Sequence, residues 1–158
     1  MGQMTLDVGE LFISKYKELT VSMSNIELEE VLPFELDGTY ILGKVETKPN
    51  APYGLVLYCY MSEGLVKQIV SGMSNGKVSS RSDTILYITE YINIVGGRAV
   101  SGINNFIGQS VRFSIPEITE GIVAIGDVVE DYKTTTSAFF KSNYGEMILK
   151  VAYTIDEG

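Results

Sequence analysis

The chain has 158 residues, 45% hydrophobic and 20% charged, and carries a net charge of −8 from 20 acidic and 12 basic residues. That length suits one domain, residues 1–158, with a sizeable core. The acidic balance argues against nucleic acid, whose phosphates need a basic face, and against an anionic membrane surface.

The absence of histidine removes His-based triads and His-ligated metals from consideration. The opening MGQMTLD has no apolar h-region, and Leu6 stands where N-myristoylation requires Ser or Thr. No apolar run approaches the length of a bilayer span, so the expected location is the cytoplasm.

Residues Thr5 to Met23 predict a first helix with Val8, Phe12, Tyr16 and Leu19 on one side. Asp7 and Glu10 suit its N-terminal turn. Pro33 forbids a regular helix through SNIELEEVLPFEL, which reads as a turn with a short extended piece. Its acidic residues Glu27, Glu29, Glu30 and Glu35 match no Ca²⁺-loop spacing and read as a solvated connector.

Thr39–Glu46 and Tyr53–Tyr60 are rich in β-branched and aromatic residues, and KPNAPYG between them predicts a hairpin. Cys59, the one cysteine, lies in the second run among aromatics and reads as a buried, unreactive thiol. Ser62 is placed to cap a helix over Glu63–Met73, where Leu65, Val66, Ile69, Val70 and Met73 recur at helical spacing. Asn75-Gly76 ends it, and Ser80-x-x-Asp83 is a capping box for the next helix.

That helix, Arg81–Ile107, is the longest unbroken helical period in the chain. At ~100° per residue, Ile85, Ile88, Ile92, Val95, Ala99, Ile103 and Phe106 fall in one stripe roughly 80° wide. The opposite face carries Glu90 and Asn93, one turn apart, with Leu86, Ile94, Gly97, Ser101 and Asn104 around them. A solvated face normally carries Lys and Glu instead. Gly96, Gly97 and Gly102 each weaken a helix by ~1 kcal/mol relative to Ala, which points to a partner that needs a low profile. Glycines 96, 97, 121 and 126 fit neither Gly-x-Gly-x-x-Gly nor a Walker pattern, and the ten tyrosines lack the interleaved basic residues of a base-stacking platform.

Beyond Gly108 the period becomes two. Ser110–Ile115 alternates, Gly121–Val129 is strand-like, Tyr132–Lys141 is Thr-rich, and the turn SNYG leads into Glu146–Thr154. In the last strand Met147, Leu149, Val151 and Tyr153 face one way, and the other face mixes Glu146, Lys150 and Thr154 with Ile148 and Ala152. One covered and one partly wet face predict an α+β fold, a two-layer sandwich of a mainly antiparallel sheet with helices on one face.

The Glu90-x-x-Asn93 motif, followed by small residues on a long mid-chain helix, resembles the chemotaxis phosphatases of the CheC, CheX and FliY type, and CheX most. The preceding SEGLVKQIVSGMS helix and the closing GEMILKVAYT strand extend the resemblance from about Gly38 onward. Leu86 departs from it, standing where the family often has Asp or Ser. The resemblance implies a phosphatase acting on a phosphorylated CheY-like response regulator. It implies Asn93 holding the attacking water, Glu90 pairing with a regulator lysine, and Leu86, Ile94, Gly97 and Ser101 in the docking face. It implies no cofactor of its own, the Mg²⁺ being the regulator's. It also implies one site rather than two, and a homodimer. The Thr-rich Lys133–Ser137 offers a candidate edge for that dimer. The alternative is a binding module of the same fold that engages a regulator without hydrolysis.

Overall fold

The computed structural model describes residues 6–35, 38–48, 50–78, 80–121 and 132–155. Helix α1 spans Val8–Ser24. The Asp7 side chain caps it by accepting from the Glu10 amide at 3.0 Å, which satisfies one of the amides that a helix start leaves without a partner. Thr5, the expected first residue, lies outside the described residues. The buried stripe is Val8, Phe12, Tyr16, Thr20 and Ser24. Leu19, expected in it, is only half-buried, because the helix rolls a small polar residue, Thr20, inward to meet the Tyr91 hydroxyl.

Helix α2 spans Glu63–Ser74 and ends at Asn75 in the left-handed region, as the Asn-Gly pair predicts. Ser62 precedes it, but its side chain makes no cap bond; its Oγ accepts instead from the Glu146 amide at 3.0 Å. Helix α3 spans Arg81–Ile107. The Ser80 Oγ accepts from the Asp83 amide at 3.1 Å, and Gly108 closes the helix at φ 79°, a conformation that suits glycine.

The strands are β1 (Glu29–Glu30), β2 (Tyr40–Glu46), β3 (Gly54–Ser62), β4 (Glu117–Gly121), β5 (Thr134–Lys141) and β6 (Glu146–Thr154). They form one sheet in the order β1-β5-β6-β3-β2-β4, antiparallel throughout. The predicted hairpin is β2–β3, with Glu46 opposite Val56. Ser110–Ile115 forms no strand; one bridge, Thr47 with Phe113, is all that alternation yields. Of the expected strand Gly121–Val129, only Gly121 falls in β4; the rest lies outside the described residues. The acidic connector contributes β1, which pairs Glu29 and Glu30 with Lys141 and Phe140.

Period-two alternation sends Ile41, Val45, Leu55, Leu57, Cys59, Met61, Met147, Leu149 and Val151 to the face that meets the helices, where they join Phe12, Tyr16, Leu65, Ile69, Tyr91, Ile92 and Val95 in the main core. The face expected to be partly wet carries a second cluster. Ile148 is buried there with Tyr40 and Tyr60, flanked by Phe34, Leu42, Tyr58 and Phe139. Ala152 is buried as well.

Gly43 of β2 sets the depth of α3. A Cβ there would lie 2.0 Å from Cδ1 of Ile92, so only glycine lets the helix seat directly on the sheet. The hydroxyls of Tyr91 and Thr20 meet at 2.7 Å inside the core and fix the roll of α3 against α1. With Ile92 pinned to the sheet, the opposite face of α3 is turned outward.

Candidate functional site on the outer face of α3

Glu90, Asn93, Gly97 and Ser101 are exposed, and Leu86 is 66% exposed. Ile94 is half-buried and borders the face rather than forming its centre. Neither the Glu90 nor the Asn93 side chain makes a hydrogen bond or ion pair among the described residues. Both are therefore free to meet something outside the chain.

Phe106, placed by its angle in the core stripe, is 39% exposed. The buried stripe of α3 stops at Ile103. Tyr91, Gly96 and Val100 are buried instead, so the covered face is wider than the aliphatic spacing indicates.

The three glycines separate on contact. A Cβ on Gly96 would meet the Phe113 ring at 3.0 Å and one on Gly102 would meet Leu11 at 3.1 Å, while one on Gly97 would meet nothing within 4 Å. Gly96 and Gly102 thus serve the chain's own packing. Gly97 alone leaves an open, low spot, one turn beyond Asn93.

Asn104, expected on the outer face, is a strut. Its Oδ1 accepts from the Tyr53 hydroxyl at 2.9 Å and its Nδ2 donates to the Val111 carbonyl at 3.1 Å. Burial pushes the Tyr53 phenol up to about 12, so the strut keeps its donor well into the alkaline range. The strut holds residues 111–113 alongside α3 and leaves a groove of about 300 Å³ between them, lined by Asn93, Gly97, Val100, Ser101, Asn104, Val111, Arg112 and Phe113. No motif in the sequence marks this wall. Its only local signal was a weak alternation that suggested a strand.

At the start of α3 the Arg81 guanidinium donates to Glu63 at 2.8 and 3.1 Å and also to Glu120. The three residues tie α2, α3 and β4 together at that end. Cys59 is fully buried, and burial pushes its thiol up to about 12, which makes it unreactive in the folded chain.

No protein-family model matches the sequence, and no curated protein matches it significantly. Solved structures do match in fold. A chemotaxis protein CheX from Desulfovibrio desulfuricans superposes with a TM-score of 0.76 at 15% identity, covering 94% of this chain and 100% of that one. A CheC-like superfamily protein from Shewanella sp. PV-4 gives 0.73 at 20% identity, covering 96% and 99%. CheX of Borrelia burgdorferi, solved as a complex with CheY, BeF3 and Mg²⁺, gives 0.62 at 12% identity, covering 94% and 99%. The architecture, three helices over a six-stranded antiparallel sheet among the described residues, is the CheX/CheC-like fold.

Proposed function

We propose that the chain is a phosphatase for the phosphoaspartate of a CheY-like response regulator, acting through Glu90 and Asn93. One observation carries this reading: the two side chains stand one turn apart on the outward face of α3, exposed and without partners in the chain, in a fold shared with CheX proteins. The B. burgdorferi CheX structure, solved with CheY and BeF3, supports the choice of partner class.

In this mechanism α3 docks against the phosphorylated face of the regulator, with Gly97 and Ser101 allowing close approach. The Asn93 amide both donates and accepts hydrogen bonds without changing protonation. It holds a water on the side of phosphorus away from the aspartyl oxygen. The water oxygen bonds to phosphorus, the bond from phosphorus to the acyl oxygen breaks, the aspartate leaves as a carboxylate and both of the water's protons depart with the phosphate. Glu90 pairs with a regulator lysine and fixes the approach. Charge on the phosphoryl oxygens is neutralised by the regulator's own Mg²⁺ and lysine, so this chain supplies mainly positioning.

A single assay tests this: decay of the phosphorylated regulator with and without the chain. Asn93→Ala is expected to abolish the acceleration while leaving the thermal melt unchanged, since the side chain lies outside the core. Glu90→Ala is expected chiefly to weaken binding, because the regulator's lysine would lose its charge partner. Full activity in Asn93→Ala would sink the mechanism. The exposed Leu86 favours a second reading, a non-hydrolytic regulator-binding module. A stable complex with unchanged decay would establish that one.

The proposed active form is a cytoplasmic homodimer. The Thr-rich segment is not an outermost strand, because β5 lies between β1 and β6. However, β1 reaches only Phe140 and Lys141, with one further bond from the Val31 amide to the Phe139 carbonyl. Among the described residues Thr134–Ala138 therefore pairs only with β6, and its other side supports self-pairing. Sedimentation showing only monomer at tens of micromolar would remove this part of the proposal.

A further inference from the structure

We infer that Arg112 is a specificity-determining residue of the same site, reading a carboxylate on the regulator surface beside the phosphoaspartate. The inference rests on the regulator-docking reading given above. Arg112 lines the groove that also contains Asn93 and Gly97, and its side chain is exposed.

The backbone around it is fixed from both sides. Asn104 holds the Val111 carbonyl at 3.1 Å, the Lys48 amide donates to the Arg112 carbonyl at 3.4 Å, and the Ser114 amide donates to the Glu46 carbonyl at 2.8 Å. A guanidinium held at its base and free at its tip is suited to a planar, two-pronged contact with a carboxylate. No acidic residue lines the groove, and Arg112 forms no ion pair among the described residues.

Charge makes the placement informative. The chain is at −8 and the proposed partner presents an anionic acyl phosphate, so net charge opposes the encounter. Of the three arginines, Arg81 is committed to Glu63 and Glu120. Arg98 lies five residues from Asn93, about 140° around the helix. Arg112 is the one arginine that lines the groove with Asn93. Glu90 stands one turn before Asn93 on α3, and Arg112 lies on the wall of the groove that Asn93 lines, so the face carries one negative and one positive side chain. A partner must offer a cation to the first and an anion to the second, and only one orientation does both. Rim charges of this kind act on encounter and register more than on the chemical step.

The test uses the full chain with a CheY-like regulator. Arg112→Gln is expected to raise KM, and the Kd for the beryllofluoride-loaded regulator, about fivefold at low salt. It should leave kcat unchanged and flatten the salt dependence of both. Arg112→Lys should recover part of the loss, and Lys17→Gln, which removes the same charge from α1 beside Glu27–Glu30, should do nothing. An unchanged KM and Kd in Arg112→Gln would overturn the inference, as would a fall in kcat alone or an equal effect of Lys17→Gln. Wild-type chain that binds the regulator but does not speed decay would end the phosphatase reading, leaving the Kd arm to judge Arg112. Normal wild-type hydrolysis with an indifferent Arg112→Gln would end only the inference.

Discussion

A methyl group added at Gly97 meets nothing within 4 Å, whereas one added at Gly96 meets the Phe113 ring at 3.0 Å. Gly97→Ala is therefore expected to raise the melting temperature, by the equivalent of up to ~1 kcal/mol of recovered helix propensity. Gly96→Leu is expected to cost ~1–3 kcal/mol by overpacking, and to disturb the groove wall with it. Gly97→Lys separates structure from function: the melt should hold while regulator binding is lost. If Gly97→Lys bound normally, this stretch of α3 would not be a docking face. Glu90 and Asn93 were legible as outward residues because helical angle alone sets both at least ~100° away from Ile92 and outside the apolar stripe. Phe106 was not, since angle says which side a residue faces and nothing of whether other residues cover it there.

At the level of elements, caps and turns were the most legible features. Ser80, Asn75 and the SNYG turn act locally, so their chemistry can be read from a few residues, whereas Asp7, expected inside the first turn of α1, is its N-cap. The groove wall was illegible for the opposite reason. Residues 111–114 form no strand of their own and are placed by partners elsewhere in the chain: Asn104, Glu46, Lys48 and Thr47. The Ser62 side chain failed as a cap because a tertiary donor, the Glu146 amide, took its oxygen. The orientation of α3 depends on a comparable long-range bond, Tyr91 to Thr20. Tyr91→Phe leaves the Thr20 hydroxyl buried with one partner fewer and is expected to cost ~1–2 kcal/mol in chemical denaturation. A midpoint equal to wild type would show that packing alone sets the roll of the helix.

Across the whole molecule the buried titratable groups predict how stability responds to alkali. Burial raises Tyr16 and Tyr91 above the ordinary tyrosine value and pushes Cys59 up to about 12. In the unfolded chain the thiol ionises near ~8.5 and the phenols near ~10. Below those values both states hold the same protons and the groups have no effect on the pH dependence. Above them the unfolded chain releases protons that the folded chain keeps, so stability falls with rising pH, by about 1.4 kcal/mol per unit for each group engaged. Melts are expected to be insensitive to these groups up to pH ~8.5 and to decline steadily from there toward 12. Removing the first group to ionise, as in Cys59→Ala, should delay the onset. A wild-type melt flat to pH 11 would contradict the burial on which this rests.

The open face of α3 has a further consequence. A site built along one rigid helix, with a groove on one side and solvent on the other, has no chamber of its own. Under the proposed reaction it is half of a catalyst, and the protein carrying the phosphoryl group supplies the other half as it docks. A small acyl phosphate such as acetyl phosphate could visit Asn93 but would bring no opposing wall, lysine or metal, and its decay should be indifferent to this chain at any concentration. Selectivity would then be a property of assembly: the only phosphate at risk is one attached to a surface that completes the enclosure.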